Sequence, residues 1–592
     1  MFMREKTSLK NILIILIVVI FFVVGGISGY YFWRTLPQEA EINEIDIVAG
    51  VVPHHLLAES LIEDFFSYIV TEGSPETIIL LSPDHFNAGS ILGNSFITLG
   101  AETHELSGLE IDSSLIEALS LKNDLIFSNE SINFDHGITS LLPFIEKYFP
   151  ETKIAPFIIP SSISLEGAER LATSLNSLAS PKVVVIASVD FSHYLPVSLA
   201  EFHDVKGIRT LINFEKENFE DLEVDSWQAL YIARAFARLK KREFPKIIGH
   251  LSSADFLEDK NIEETTSYFS LVFGGKESQE VEKIEELNGT TILFTGDIML
   301  DRGVEYLTNK NSTYYPFEKI SQTLKGVDIV VGNLEGPIVE DPPYFSDESL
   351  KFAFSPEVTK GLVFANFNVL SLANNHTVNM GEVGLEQTKE FLKKANIGSV
   401  GHPVECDKDF LSKEDGIAFL AFNKTFPFNC PDNEIAEIVK TTKAENPDDF
   451  LIVMLHWGVE YQFHSSLAQQ NLAHQIIDAG ADLIIGHHPH VVQEIEEYKG
   501  KLIFYSLGNF IFDYDRYFLK ETLQGLVVGL EIYPEKLVYR LFPVKTHLSQ
   551  PSLMEQKETE EFLQKLALRS YSHALLPEQI KAGIIEIERS KK

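Results

Sequence analysis

Short runs of aliphatic and β-branched residues, repeated along the chain and each ending in polar residues, constrain the fold more than any other feature. In the first half they are TIILLSP from Thr77 and KVVVIASVDFS from Lys182. In the second they are TILFTGD, VDIVVGNLE, FNVLSLANNH, FLIVMLHWG and ADLIIGHHPH, beginning at Thr291, Val327, Phe367, Phe450 and Ala481. Continuous apolar runs of this length suit strands buried on both faces, with the longer amphipathic stretches between them as covering helices. In such layered α/β folds functional groups gather beyond the carboxyl ends of the strands, which is where these polar residues fall.

At 592 residues the chain is longer than one hydrophobic core sustains. The charged stretch KESQEVEKIEELNG, from Lys276 to Gly289, separates the two patterned halves. The expected organisation is a cytoplasmic tip, transmembrane anchor and short linker over 1–41, a first domain over 42–275, a linker over 276–289, a second domain over 290–550 and a charged helical tail over 551–592.

The anchor is read from Ile12 to Phe32, which holds no charged residue and matches the ~20 residues a helix needs to cross a bilayer. Arg4, Lys6 and Lys10 precede it, while Glu39, Glu41 and Glu44 follow a single Arg34. The positive-inside rule then places the N-terminus in the cytoplasm and the bulk of the chain outside, as a single-pass membrane protein. A cleaved signal peptide would have a shorter apolar stretch and a small-residue cleavage site.

The formal net charge of -37 argues against nucleic acid as a partner, because phosphate binding needs a basic surface. Lys389, Lys393 and Lys394 form a local basic patch, but on a helix such a run is usually a solvated face. Cys406 and Cys430 are close enough in sequence to pair, yet two thiols make neither a disulfide framework nor a cysteine-rich zinc site, and no role follows for them.

In the second half the strand ends carry Asp297, then Asn333 with Glu335, then Asn374, Asn375 and His376, then His456, then His487, His488 and His490. One histidine after a strand is usually a hydrogen-bonded structural residue. Five strand ends bearing carboxylate, amide and imidazole groups match the mixture that two divalent ions require, with open positions for water and substrate. Asp301 and Arg302 are read as a surface ion pair or a substrate contact, and SLGNF from Ser506 as a turn closing the core.

The stretches TGDIMLDRG, VVGNLEGP, SLANNHTVNMG, LHWGVEY, GADLIIGHHPHVVQEIE and IFYSLGNFIFD together resemble the CapA-type poly-γ-glutamate capsule proteins, over roughly Thr290 to Val544. That resemblance implies the calcineurin-like metallophosphoesterase superfamily, an α/β/β/α sandwich, and two divalent ions of manganese, iron or zinc. It implies Asp297, Asn333, Glu335, Asn375, His456, His488 and His490 as metal residues and His376 as the catalytic acid. The chain departs from the superfamily pattern at Met299, where a histidine is usual, and at His487, which stands between the glycine and His488 and is an alternative ligand to it.

The first half has its own strand-end groups at His54, His55, Asp84, His85, Asp135, His136, Asp190 and His193. VVPHHL, LLSPDHF, FDHGITSLLPF and ASVDFSHYL resemble, in order, the Memo family, also called system protein B of the AmmeMemoRadiSam group, over roughly Val48 to Gly274. The resemblance implies a class III dioxygenase-like α/β sandwich with one iron or copper ion. His54, His85 and His193 would be its ligands, with His136 and Asp190 in supporting or proton-transfer roles. No cysteine precedes Cys406, which rules out a copper-thiolate site and leaves Asp225 as the nearest polar candidate. His55 is read as a residue flanking its strand rather than a ligand.

The expected function is an extracytoplasmic metal-dependent hydrolase or transferase linked to synthesis of a capsule or poly-γ-glutamate-type polymer. Its substrate would be that polymer or a phosphoester, with other capsule or envelope proteins as partners. The competing expectations are a non-catalytic polymer- or partner-binding envelope protein and a Memo-type metal-dependent oxidoreductase.

Overall fold

Strands Ala49–Val52, Val183–Ser188, Thr77–Pro83 and Lys153–Ile159 lie side by side and parallel, and nearly all their residues are buried, as continuous Val- and Ile-rich runs require. They form the middle of a nine-stranded sheet in a computed structural model of the chain. That structure describes residues 45–91, 98–101, 105–260, 262–274, 288–345, 349–406, 411–413, 416–425, 430–513, 519–570 and 576–589. Antiparallel strands Phe244–Ser252 and Thr265–Gly274 close one edge of the first sheet. The helix pairs Glu59–Glu72 with Leu142–Tyr148, and Leu165–Leu178 with Trp227–Leu239, pack around it in a single core.

The second half is built on two facing sheets. In one, Thr290–Ile298, Ile329–Leu334, Val369–Ser371 and Gly398–Val400 run parallel, and Gln524–Ile532 and Lys536–His547 continue it antiparallel. In the other, Ile417–Asn423, Phe450–His456, Leu483–His487 and Lys501–Phe504 are parallel. Alternation assigns the faces: Ile292, Phe294 and Val331 meet Phe419, Ile452 and Ile485 in the core between the sheets. Their neighbours Leu293, Val330 and Leu370 pack outward with the helix Gly381–Lys394. Leu420, Val453 and Ile484 pack outward with the helices Asp432–Glu445 and Leu467–Ala479. The result is a four-layer α/β/β/α sandwich beside a mixed α/β domain.

The structure corrects the expected tail. Helices Gln556–Arg569 and Leu576–Ala582 are present, but Ile584–Glu588 is a strand paired antiparallel with Lys536–His547. Ile585 and Ile587 enter the core between the sheets. The alternation in IIEIE is a strand pattern, which outweighs the helical character of the preceding stretch. The cysteines do pair: Cys406 and Cys430 form a disulfide with Cα atoms 5.3 Å apart.

The apolar run Ile12–Phe32 lies outside the described residues, and among those described no helix is long and apolar enough to cross a membrane. Most of the expected linker lies outside them as well.

The two halves meet across the helix Val197–Asn213, most of which is buried. Arg209 donates to both carboxylate oxygens of Asp328 at 2.8 and 2.7 Å and also pairs with Glu215. Lys206 donates to the Val327 carbonyl at 2.8 Å, and the rings of Phe202 and Phe542 lie 6.0 Å apart.

Candidate metal centres

Strand register creates the C-terminal site. Asp297 and Asn333 are direct partners between adjacent strands of one sheet, and His456 and His487 are partners in the other. The carboxyl ends of both sheets therefore present their polar residues to one space. Asn333 donates to Asp297 at 2.8 Å, and its amide nitrogen lies 3.2 Å from Nδ1 of His456. Nε2 of His456 lies 2.8 Å from the side-chain oxygen of Asn375. His490 places Nδ1 3.3 Å from Asp297 and Nε2 3.7 Å from Glu335, and His376 places Nε2 3.7 Å from the same Glu335 oxygen.

The turn carrying the last histidines is conformationally unusual. His488 and His490 have φ of 97° and 57°, in the left-handed region that non-glycine residues seldom occupy. The backbone N–H of His488 points to Asp297 at 3.3 Å, and Nδ1 of His490 lies 2.9 Å from the Asn509 side-chain oxygen.

Burial pushes Asp297 toward neutrality, but His487 and His490 outweigh it and hold its pKa well below the usual carboxylate value. Burial raises Glu335 well above its ordinary range, with Asp297 adding to the effect. His490 is pulled down by burial, yet Glu335 and Asp297 raise it to about 10. A cation bound there would take the place of that proton. Burial lowers His376 and His488 to about 4 and depresses His456 strongly, which leaves these imidazoles neutral at pH 7.

The donor set fits a metal. Both carboxylate oxygens of Glu335, both ring nitrogens of His487 and Nδ1 of His488 are buried without a hydrogen-bond partner. Polar atoms so placed are costly unless something else satisfies them, and a divalent cation is the partner that carboxylate oxygens and imidazole nitrogens share. Ligand atoms of Asp297, Glu335 and His490 lie within 4.8 Å of one another, as do those of Glu460, His488 and His490.

Several readings change here. Asp301 does not pair with the Arg302 side chain; it caps the helix Arg302–Lys310 and accepts from Ala353 N–H at 2.8 Å. Arg302 instead pairs with Asp513 at 2.8 Å and lies over the Phe352 ring. SLGNF does more than close the core, since Asn509 reaches His490. Asn374 organises the site from behind, its oxygen accepting from His376 N–H, Thr377 N–H and the Thr377 hydroxyl. Lys389 and Lys394 form ion pairs along their own helix with Glu386 and Glu390. Glu460 was visible in LHWGVEY but carried no histidine or strand end to single it out.

In the first half His54, His85 and His136 converge, with ring centroids 3.8 to 5.2 Å apart. Their ligand atoms form one group within 4.8 Å, and those of His54, Asp190 and Asp225 form another. His193 was expected beside His54 and His85 and lies outside both groups, whereas His136 stands within the first. The reason is local. Asp135 caps the helix His136–Thr139 and accepts from Ser82, Gly137 and His85, which brings His136 against His85. His193 opens the strand His193–Leu195, three residues beyond Asp190. His55 is largely exposed and lies 2.5 Å from the Tyr268 hydroxyl.

Asp225 accepts from the Asp190 N–H at 3.1 Å, and both carboxylates lie about 3.5 Å from Nε2 of His54, at 3.5 and 3.6 Å. Burial raises the pKa of both acids, Asp225 the more, and one Asp225 oxygen has no hydrogen-bond partner. Burial lowers His54 and His136, so both are neutral ligand donors at pH 7. The cluster offers donors that could hold a metal ion.

A four-layer sandwich with acids, amides and imidazoles converging from two facing sheets is the layout that the resemblance to metallophosphoesterase-like proteins implies. The bacterial capsule synthesis protein family PGA_cap matches residues 291–514, and the Memo-like protein family matches 34–229. The PGA biosynthesis protein CapA of Bacillus subtilis is 34% identical over 262 residues, covering 41% of this chain and 69% of that protein. The capsule biosynthesis protein CapA of Bacillus anthracis is 36% identical over 254 residues; the match covers 39% of this chain and only 62% of that relative's length. A MEMO1 family protein of Caldivirga maquilingensis is 26% identical over 209 residues, 34% of this chain and 72% of its own. The chain belongs to the CapA family of capsule proteins and joins that domain to a Memo-like one.

Proposed function

We propose that this chain is an envelope protein held by the apolar run Ile12–Phe32, with its bulk outside the cytoplasm. Its C-terminal half would be a dinuclear metal-dependent hydrolase or transferase serving synthesis of a capsule polymer of the poly-γ-glutamate type. The observation that carries the reading is the set of buried donors without hydrogen-bond partners on Glu335 and His488, beside Asp297, His487 and His490. The kinship with CapA proteins supports the polymer context, and the Cys406–Cys430 disulfide suits an oxidising compartment.

Asp297, Asn333, Glu335, Asn375, His456, His488 and His490 would hold the ions. Bound divalent ions would supply an activated water and charge neutralisation at the reacting bond. The protein's own part is proton handling. His376 lies 4.3 Å from the Phe352 ring and has Nδ1 3.2 Å from the Asn379 oxygen, so its Nε2 is fixed toward Glu335. Because its resting form is neutral, it would take up the proton that the attacking water gives up and return it to the leaving oxygen.

One observation favours a second reading. Met299 offers no imidazole toward the cluster, which would suit a metal-organised cleft that binds envelope polymer without turning it over.

The test is elemental analysis of the full chain, purified without a histidine tag or chelator. At least two transition-metal ions per chain are expected, with those of the C-terminal cluster lost in His488→Ala. A protein that takes up no zinc, manganese or iron would end the hydrolase reading. Metal uptake with polymer binding but no turnover would favour the binder.

A further inference from the structure

Resting on that metal-site reading, we propose that Glu460 is a ligand of the C-terminal metal cluster and supplies the donor that Met299 does not. Met299 follows Asp297 by two residues, but its side chain is fully buried and its thioether accepts the Asp301 N–H at 3.2 Å. It packs in the outer core with Leu300, Val304 and Phe354. No metal donor comes from that strand beyond Asp297.

The facing sheet offers one instead. The chain leaves strand Phe450–His456 through Trp457, Gly458 and Val459 to Glu460. Trp457 is buried, donates its backbone N–H to the His487 carbonyl at 3.1 Å, and donates its indole N–H to the Tyr505 carbonyl at 2.9 Å. Gly458 turns the chain with φ of 91°, and a Cβ there would meet the Gln469 side chain at 2.7 Å. Tyr461, at φ of 62°, donates its N–H to the Pro489 carbonyl at 2.8 Å. The segment carrying Glu460 is thus tied at both ends to the turn that carries His487, His488 and His490.

Glu460 is exposed, yet its carboxylate, His488 and His490 each place a ligand atom within 4.8 Å of the others. His490 also belongs to the group with Asp297 and Glu335. His490 is thus shared between the group with Asp297 and Glu335 and the group with Glu460 and His488. The unpartnered Nδ1 of buried His488 points independently to a ligand in this space. Charge argues the same way: two divalent cations facing only two carboxylates, Asp297 and Glu335, would leave excess positive charge in a buried site, and a third carboxylate reduces it. The charge of Glu460 already acts on both Glu335 and His490.

The experiment strips the full chain with chelator and titrates it with Mn(II), counting free ion by electron paramagnetic resonance. In Glu460→Gln one C-terminal binding step should weaken by more than about 100-fold, beyond the roughly 10- to 100-fold that loss of a supporting contact produces. Glu460→His, which keeps a ligand atom at this position, should recover part of the affinity. The metal-free unfolding temperature should not change, because the side chain is exposed. If Glu460→Gln binds Mn(II) with native stoichiometry and affinity, Glu460 is a surface carboxylate and the assignment falls while the metal centre stands. If the native chain binds no Mn(II), zinc or iron, both fall together.

Discussion

The two histidine-rich clusters differ in how far each satisfies itself. In the N-terminal cluster Asp135 accepts from Ser82, Gly137 and His85, Ser188 bonds the Gly137 carbonyl, and Asp225 holds the Asp190 backbone. In the C-terminal cluster the buried acid Glu335 has no hydrogen-bond partner at either oxygen, and neither nitrogen of His487 has one. The electrostatics are alike: burial wins at Asp190 and Asp225 in the first and at Glu335 in the second, raising all three, whereas partners hold Asp135 and Asp297 below the usual carboxylate range. Both clusters hold buried donors without hydrogen-bond partners, one Asp225 oxygen in the first and both Glu335 oxygens with Nδ1 of His488 in the second, and the larger set makes the second the better candidate for metal chemistry.

The sharpest way to break this comparison is catalytic. His376→Ala should lower turnover by roughly 10²- to 10⁴-fold, the range expected for loss of a general acid–base group. Unchanged turnover would remove His376 from the chemistry, and an equal loss in His54→Ala would mean that both clusters serve one reaction.

A second test asks whether the clusters sit on one unit. Arg209→Ala leaves the buried Asp328 carboxylate without its bidentate partner at the junction of the halves. Breaking such a pair should cost about 3–5 kcal/mol in chemical denaturation. A change near zero would mean that the two halves unfold independently of this contact.

The smaller effect concerns pH at the same junction. Buried His203 has its Nε2 3.2 Å from the Thr323 carbonyl, and burial lowers its pKa to about 4. Below about pH 6.5 the unfolded chain takes a proton that the folded chain refuses. Its contribution is therefore full above that pH and is lost as pH falls toward 4, by up to about 3 kcal/mol. His203→Gln should flatten this part of the stability curve, and an unchanged slope would assign the acid sensitivity to other groups.

The strand-end positions of Asp297, Glu335, His456 and His488 were legible because apolar runs and their polar termini are contiguous in sequence. The close approach of His136 to His85 was not, because it depends on how Asp135 caps one short helix and holds His85. Glu460 escaped notice because an exposed glutamate in a loop has no pattern of its own; only the hydrogen bonds of Trp457 and Tyr461 to the histidine turn bring it into range. The Ile584–Glu588 strand was hidden behind two amphipathic helices.

By itself the sequence determined two layered α/β halves, their order, and the kinds of donor placed at their strand ends, because periodicity and residue chemistry are local properties. Tertiary structure alone decided which donors meet, which are left without partners and which are charged. Proximity across two sheets and removal from water are properties of the packed chain, and no stretch of it carries them separately.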